Sequence, residues 1–207
     1  MNVSFSSREL RDLLVAWVAL GLAFAIFFAG GGNRTIQLLT SGSFGLALVV
    51  SLLTAGVGFL LHEVAHKVVA VRFNQVAEFR ADYGMLAIAI MSALVGFIFA
   101  APGAVYHRGV LTEREHGLIA LAGPVTNLLL LVAFAPVLVV GVLVGSDVVQ
   151  LVGSRGLIIN AFLAAFNMLP FGSLDGKTVQ SWSTPVFAGV VALSILLTVG
   201  LFLFVGF

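Results

Sequence analysis

The sequence predicts an all-α polytopic membrane protein with about five crossing helices, one re-entrant segment and a possible short β-hairpin. Three observations lead there. The 207 residues are 60% hydrophobic and only 9% charged, where a soluble domain carries about 25% charged residues. Mean hydropathy is +1.16. The apolar residues also fall into long uncharged runs, several of them near the roughly 20 residues that a spanning helix needs.

Composition narrows the partners. A net charge of +1 gives no reason to expect nucleic acid, and the expected surroundings are a lipid bilayer. The absence of cysteine excludes disulfides, thiolate ligands and a cysteine nucleophile. No hydrophilic stretch is long enough to hold a soluble domain, so residues 1–207 read as a single transmembrane domain.

Met1 to Asp12 is a polar tip, and Leu13 to Ala29 is the first uncharged span. A basic tip before an apolar run also fits a signal peptide, but the run is long and no A-x-A site follows it. Gly30-Gly31-Gly32-Asn33 ends the helix with residues that tolerate positive φ, and a short loop leads to Ser43. The second span runs from about Phe44 to Arg72. Asn74 to Gly84 is polar. Met85 to Ala101 is apolar but short for a crossing, and Pro102-Gly103 breaks it before a weakly extended Ala104-Val105-Tyr106. Gly117 to Ser146 is a long span containing Pro124 and Pro136, either able to kink it. Asp147 to Arg155 reads as a loop, and Gly156 to Leu169 as an apolar helix that Pro170-Phe171-Gly172 breaks. Val186 to Phe207 is the last span.

Charge decides whether Met85–Ala101 crosses. If it does not, Arg8, Arg11, Lys67, Arg72, Arg80, Arg108, Arg114 and Lys177 share one side, and only Arg34 and Arg155 lie opposite. That bias marks the first side as cytoplasmic, with the N-terminus on it. A crossing would remove most of that bias, because Arg108, Arg114 and Lys177 would change sides. The segment is therefore expected to dip in and return. The same parity brings the end of the second span and Asp175 to one side.

Within the second span lies His62-Glu63-Val64-Ala65-His66, an H-E-x-x-H motif. Each ionisable group near the middle of a spanning helix costs roughly 2.5–3.5 kcal/mol on insertion scales, so the motif needs a function. Two imidazoles four residues apart share one helix face and can hold one Zn²⁺, with Glu63 beside it. A third ligand must come from elsewhere. His107, His116, Asp82, Glu78, Glu113, Glu115 and Asp175 are candidates. Asp175 stands out because it follows a helix broken at Asn167-Met168-Leu169-Pro170, and unwound backbone near membrane depth is where membrane proteins build sites. Lys67, next to the second His, is expected to snorkel to the cytoplasmic interface. His107 and His116 are expected to be interfacial or solvated.

H-E-x-x-H, followed much later by Asn167-x-x-Pro170-x-x-x-x-Asp175-Gly176, resembles the site-2 protease family of intramembrane zinc metalloproteases. Gly123-Pro124-Val125-Thr126-Asn127 resembles that family's G-P-x-x-N element, and the re-entrant segment resembles its membrane-dipping hairpin. The likeness covers roughly residues 44–177. Ala65 stands where the family usually has Gly, and the family's appended soluble domains are missing. The resemblance implies His62, His66 and Asp175 as zinc ligands and Glu63 as general base. It implies Asn167, and Asn127 with it, as groups that stabilise the reacting carbonyl or orient the site. The function implied is zinc endopeptidase action on single-span membrane protein substrates, as in regulated intramembrane proteolysis, near the cytoplasmic side of the cell membrane. A zinc-binding transporter or sensor is the alternative. It would need polar groups leading to both faces, whereas the ionisable residues concentrate at one end.

Overall fold

The computed structural model describes residues 3–99 and 102–205. Among these, five helical rods are long and apolar enough to cross a membrane. They are α1 (Ser7–Ala29), a continuous rod over residues 44–72, α6 (Glu113–Val144), α7 (Asp147–Asn167) and α9 (Thr184–Phe204). The second rod is α3 (Phe44–Ser51), a π-helical turn (Leu52–Gly56) and α4 (Val57–Arg72). Shorter helices are α2 (Gly32–Thr40), α5 (Tyr83–Leu94) and α8 (Asp175–Trp182). The chain is a polytopic membrane protein. The expected re-entrant run and last span extend onto residues 100–101 and 206–207, which lie outside the described residues.

The excursion over residues 82–102 does not cross. Strand β1 (Val76–Ala81) precedes it and β2 (Gly103–Arg108) follows it, and the two pair antiparallel with Ala81 opposite Gly103. The Asp82 N–H donates to the Pro102 carbonyl at 2.9 Å, so the excursion leaves and re-enters at one point. Between them α5 has only 12 residues, about 18 Å of helix at 1.5 Å per residue. Alternation on the strands puts Ala77, Phe79, Ala81, Gly103, Val105 and His107 on one face of the sheet. That face packs inward: Phe79 is fully buried, whereas Val76 and Tyr106 on the other face are exposed.

The core lies between α1, α4, α5, β1 and α7, with Leu20, Phe24, Phe59, Phe79, Leu86 and Leu163 at its centre. α9 is almost wholly peripheral, and its large exposed side chains are Leu, Ile, Val and Phe, as lipid contact requires.

Two stretches read as loops are helical. Residues 32–40 form α2, because their polarity is arranged around one buried residue: Thr35 is buried and its hydroxyl donates to the Gly31 carbonyl at 2.9 Å. Residues 147–155 are the first half of α7. Ser146 accepts the Val149 N–H and Asp147 sits in the first turn, a start signal masked by the polar residues around it. This half of α7 packs against α6 through glycines. A Cβ at Gly153 would lie 2.4 Å from the Leu138 nitrogen, and one at Gly156 would lie 2.2 Å from the Phe134 ring. Small residues let membrane helices approach this closely. Arg155 is consequently a helix residue, with its guanidinium 4.5 Å from the Phe28 ring centroid.

Candidate metal centre

The H-E-x-x-H motif lies on α4, one turn beyond the π-helical turn. There the Leu52 carbonyl accepts both the Val57 N–H and the Trp17 indole N–H, the latter at 3.0 Å. Trp17 therefore pins α1 to the irregular turn that leads into the motif. His62 and His66 follow on one face, ring centroids 4.6 Å apart. Asp175, the first residue of α8, meets them from across the bundle. Its Oδ2 lies 3.2 Å from His62 Nε2 and 3.3 Å from His66 Nε2. Gly176 permits this placement, because a Cβ there would lie 2.0 Å from the Met168 carbonyl oxygen.

The proton positions make the cluster informative. His66 Nδ1 lies 2.7 Å from the Ile119 carbonyl, a pure acceptor, so Nδ1 carries the hydrogen. His62 Nδ1 lies 2.7 Å from Asn127 Oδ1. The Asn127 amide nitrogen donates to the Gly58 carbonyl at 3.2 Å and to Asn160 Oδ1 at 3.0 Å, which fixes the oxygen toward His62. In the neutral rings both Nε2 atoms are then bare acceptors. They face a carboxylate oxygen that is buried and makes no hydrogen bond. Three acceptors converging on one point require a positive charge between them, a proton or a metal ion. Two imidazoles and a carboxylate are a usual donor set for Zn²⁺. These donor atoms all lie within 4.8 Å of one another, so His62, His66 and Asp175 are a group that could bind a metal.

α6 supplies the supporting residues. Gly123 clears the space, since a Cβ there would lie 2.5 Å from Nε2 of both imidazoles. One turn further on, Asn127 fixes the His62 tautomer. Asn160, fully buried on α7, completes the chain of hydrogen bonds and donates to the Gly156 carbonyl at 2.9 Å. The sequence reading missed Asn160 and the Ile119 carbonyl. Asn160 had a signal: it precedes Asn167 by seven residues, two helical turns on one face of an apolar helix.

Glu63 is 7% exposed and borders a cavity of about 200 Å³ beside the cluster. Asn167, Val105, His107, His116 and Thr178 also line it. Asn167 therefore sits at the site, though one of its amide hydrogens is given to the Leu163 carbonyl at 2.9 Å.

The other candidate ligands serve local structure. Asp82 caps α5 through the Met85 N–H at 3.0 Å. Glu115 forms a capping box with Thr112 at the start of α6. Glu78 accepts from Ser6 and Arg80, which hold its carboxyl below the usual range. Glu113 lies outside the cavity, in a groove shared with Lys177 and Trp182. His107 and His116 lie 5.0 Å apart by ring centroid. His116 is exposed as expected, while burial first, and then the neighbouring His116, push the His107 imidazole below its ordinary pKa. Lys67 does not snorkel: it is 2% exposed and paired with Glu9, itself 0% exposed, on α1.

A polytopic membrane protein whose H-E-x-x-H helix shares a buried cluster with a distant aspartate falls in the class of membrane metalloproteases. Comparison with known proteins agrees. Over 186 residues the chain is 37% identical to a Methanocaldococcus jannaschii protein named "Putative zinc metalloprotease MJ0611", covering 89% of each chain. The chain belongs to that family of zinc metalloproteases. No family model and no solved structure matches it.

Proposed function

We propose that the protein is an intramembrane zinc endopeptidase of the site-2 protease type. Its substrates are single-span membrane proteins, cut near the cytoplasmic side of the cell membrane, with the N-terminus of the enzyme cytoplasmic. One observation carries the reading: the Nε2 atoms of His62 and His66 converge with Asp175 Oδ2, and Glu63 lines the cavity beside them.

His62, His66 and Asp175 would hold the ion. Bound zinc supplies a Lewis acid and lowers the pKa of a coordinated water to about 7. Glu63 takes the proton of the attacking water and returns it to the leaving amine. Asn127 and the Ile119 carbonyl keep the two imidazoles in the ligating tautomer. Asn167 donates to the developing oxyanion with its second amide hydrogen, a contribution of about 2.7–4 kcal/mol where such donors have been removed elsewhere. A helical substrate must unwind before it reacts, because its peptide groups are bonded within the helix. β2 borders the cavity and pairs on one edge with β1, so its other edge is suited to hold the unwound segment by backbone pairing.

The test uses the purified full chain in liposomes with a panel of single-span substrates. Metal analysis finds one zinc per chain, the wild type cleaves, and Asp175→Ala loses both metal and activity. A wild type that carries no zinc, or that cleaves nothing in the panel, contradicts the reading.

A further inference from the structure

The buried pair of Glu9 and Lys67 has no part in the chemistry above. Replacing a buried ion pair by apolar residues of similar volume is often neutral or stabilising, so stability alone is a weak reason for it. Its connections offer another. Lys67 follows His66 on α4. Its ammonium is bonded to Glu9 Oε2 and lies 4.1 Å from the Phe5 ring centroid. Glu9 Oε1 accepts the backbone N–H of Phe79 on β1 at 3.0 Å. One turn along α1, Asp12 Oδ2 accepts the Ala81 N–H at 3.4 Å and Oδ1 accepts the Tyr83 hydroxyl at 2.7 Å. Two carboxylates of α1 thus occupy the edge of β1 that β2 does not use.

The tie reaches the catalytic cavity by a second route. The Phe79 ring packs on Phe59 of α4 at 5.8 Å, and Phe79 stands opposite Val105 on β2. Phe59 and Val105 both line the cavity beside Glu63. The strand pair is therefore held to α4 at two levels that bracket the motif, by Lys67 through Glu9 and by Phe59.

We propose that Glu9 and Lys67 are positioning residues, which set the height of the β1–β2 sheet over Glu63 and so the register in which a peptide lies along β2. The proposal rests on the protease reading. The discriminating variant is Glu9→Leu/Lys67→Met, which removes both charges together and leaves the Phe79 N–H without its acceptor. Metal content and the helical circular-dichroism signal are expected to stay at wild-type values. Amide exchange over residues 76–81 should speed up, and KM should rise, each by about tenfold, the factor that one lost net hydrogen bond allows; kcat should change little. Wild-type exchange and KM in this variant overturn the proposal. If the variant does not fold, the swap Glu9→Lys/Lys67→Glu decides, because it restores the ion pair but moves the carboxylate off α1. A merely structural pair would then recover fully, whereas a positioning pair keeps the raised exchange and KM. A wild type that cleaves nothing sinks the protease reading, and the exchange measurement still judges the tie.

Discussion

Asn127 on α6 holds the Nδ1–H of His62 on α4 at 2.7 Å, across a sequence separation of 65 residues. The bond spends the amide oxygen on one imidazole and turns the other ring nitrogen toward Asp175. Partners of this kind are worth 10–100-fold in metal affinity at other metal sites. Asn127→Ala is accordingly expected to weaken zinc binding by about 10–100-fold, read by competition with a chromogenic chelator. Asn127→Asp retains the acceptor oxygen and should lose less. Equal affinity in wild type and Asn127→Ala would show that the tautomer is set some other way.

Glu63→Gln keeps the size of the side chain and removes its basicity. Zinc content should be unchanged, while cleavage falls by about 10²–10⁴, the usual contribution of a general base. Cleavage at the wild-type rate would exclude Glu63 as the base.

Gly123 passes against both imidazoles. In Gly123→Ala the new methyl would lie 2.5 Å from both Nε2 atoms, so the rings must turn away from Asp175. Metal should be lost, while the helical circular-dichroism signal remains. Full zinc occupancy by elemental analysis in this variant would mean that α6 can move aside.

At the α6–α7 seam, Gly153→Val places bulk 2.4 Å from the Leu138 backbone, where no side chain can yield. Overpacking of this kind typically costs about 1–3 kcal/mol. The thermal midpoint should fall clearly, and an unchanged midpoint would argue against close packing at this seam.

His107 gives a pH dependence with a definite sign. Burial and the nearby His116 hold its pKa below the ordinary 6.5 in the folded protein. Between the folded and unfolded values the unfolded chain binds more protons, so stability rises with pH through that window. The contribution is fully present above about 6.5 and is lost as pH falls through the folded value. His107→Gln should flatten the slope of the thermal midpoint between pH 5 and 7; an unaltered slope would locate the titration elsewhere.

Much of this site is legible in the residues. Two histidines four apart in an uncharged run have few other uses, and Asp175 after a broken helix has the right charge in the right kind of backbone. Lys67 departs from snorkelling, the ordinary fate of a lone cation near a helix end, because its partner Glu9 lies 58 residues earlier, beyond any local signal. The loops assigned at residues 32–40 and 147–155 failed for a related reason. Polarity alone predicts no helix there, whereas capping by Ser146 and one-sided burial of Thr35 make those polar residues helical.

By itself, the sequence determined that this is a multi-span membrane protein with one non-crossing excursion, and which side chains have metal-ligating chemistry. Both follow from local quantities, the transfer cost of a run of residues and the period of a helix. Only the tertiary structure decided which nitrogens carry hydrogen, that Asn127, Asn160 and the Ile119 carbonyl enforce this, and that α1 grips the sheet through Glu9 and Asp12. Those facts depend on pairings between helices far apart in the chain. They arise because every buried polar group needs a partner, and in a bilayer that partner has to be found across the bundle.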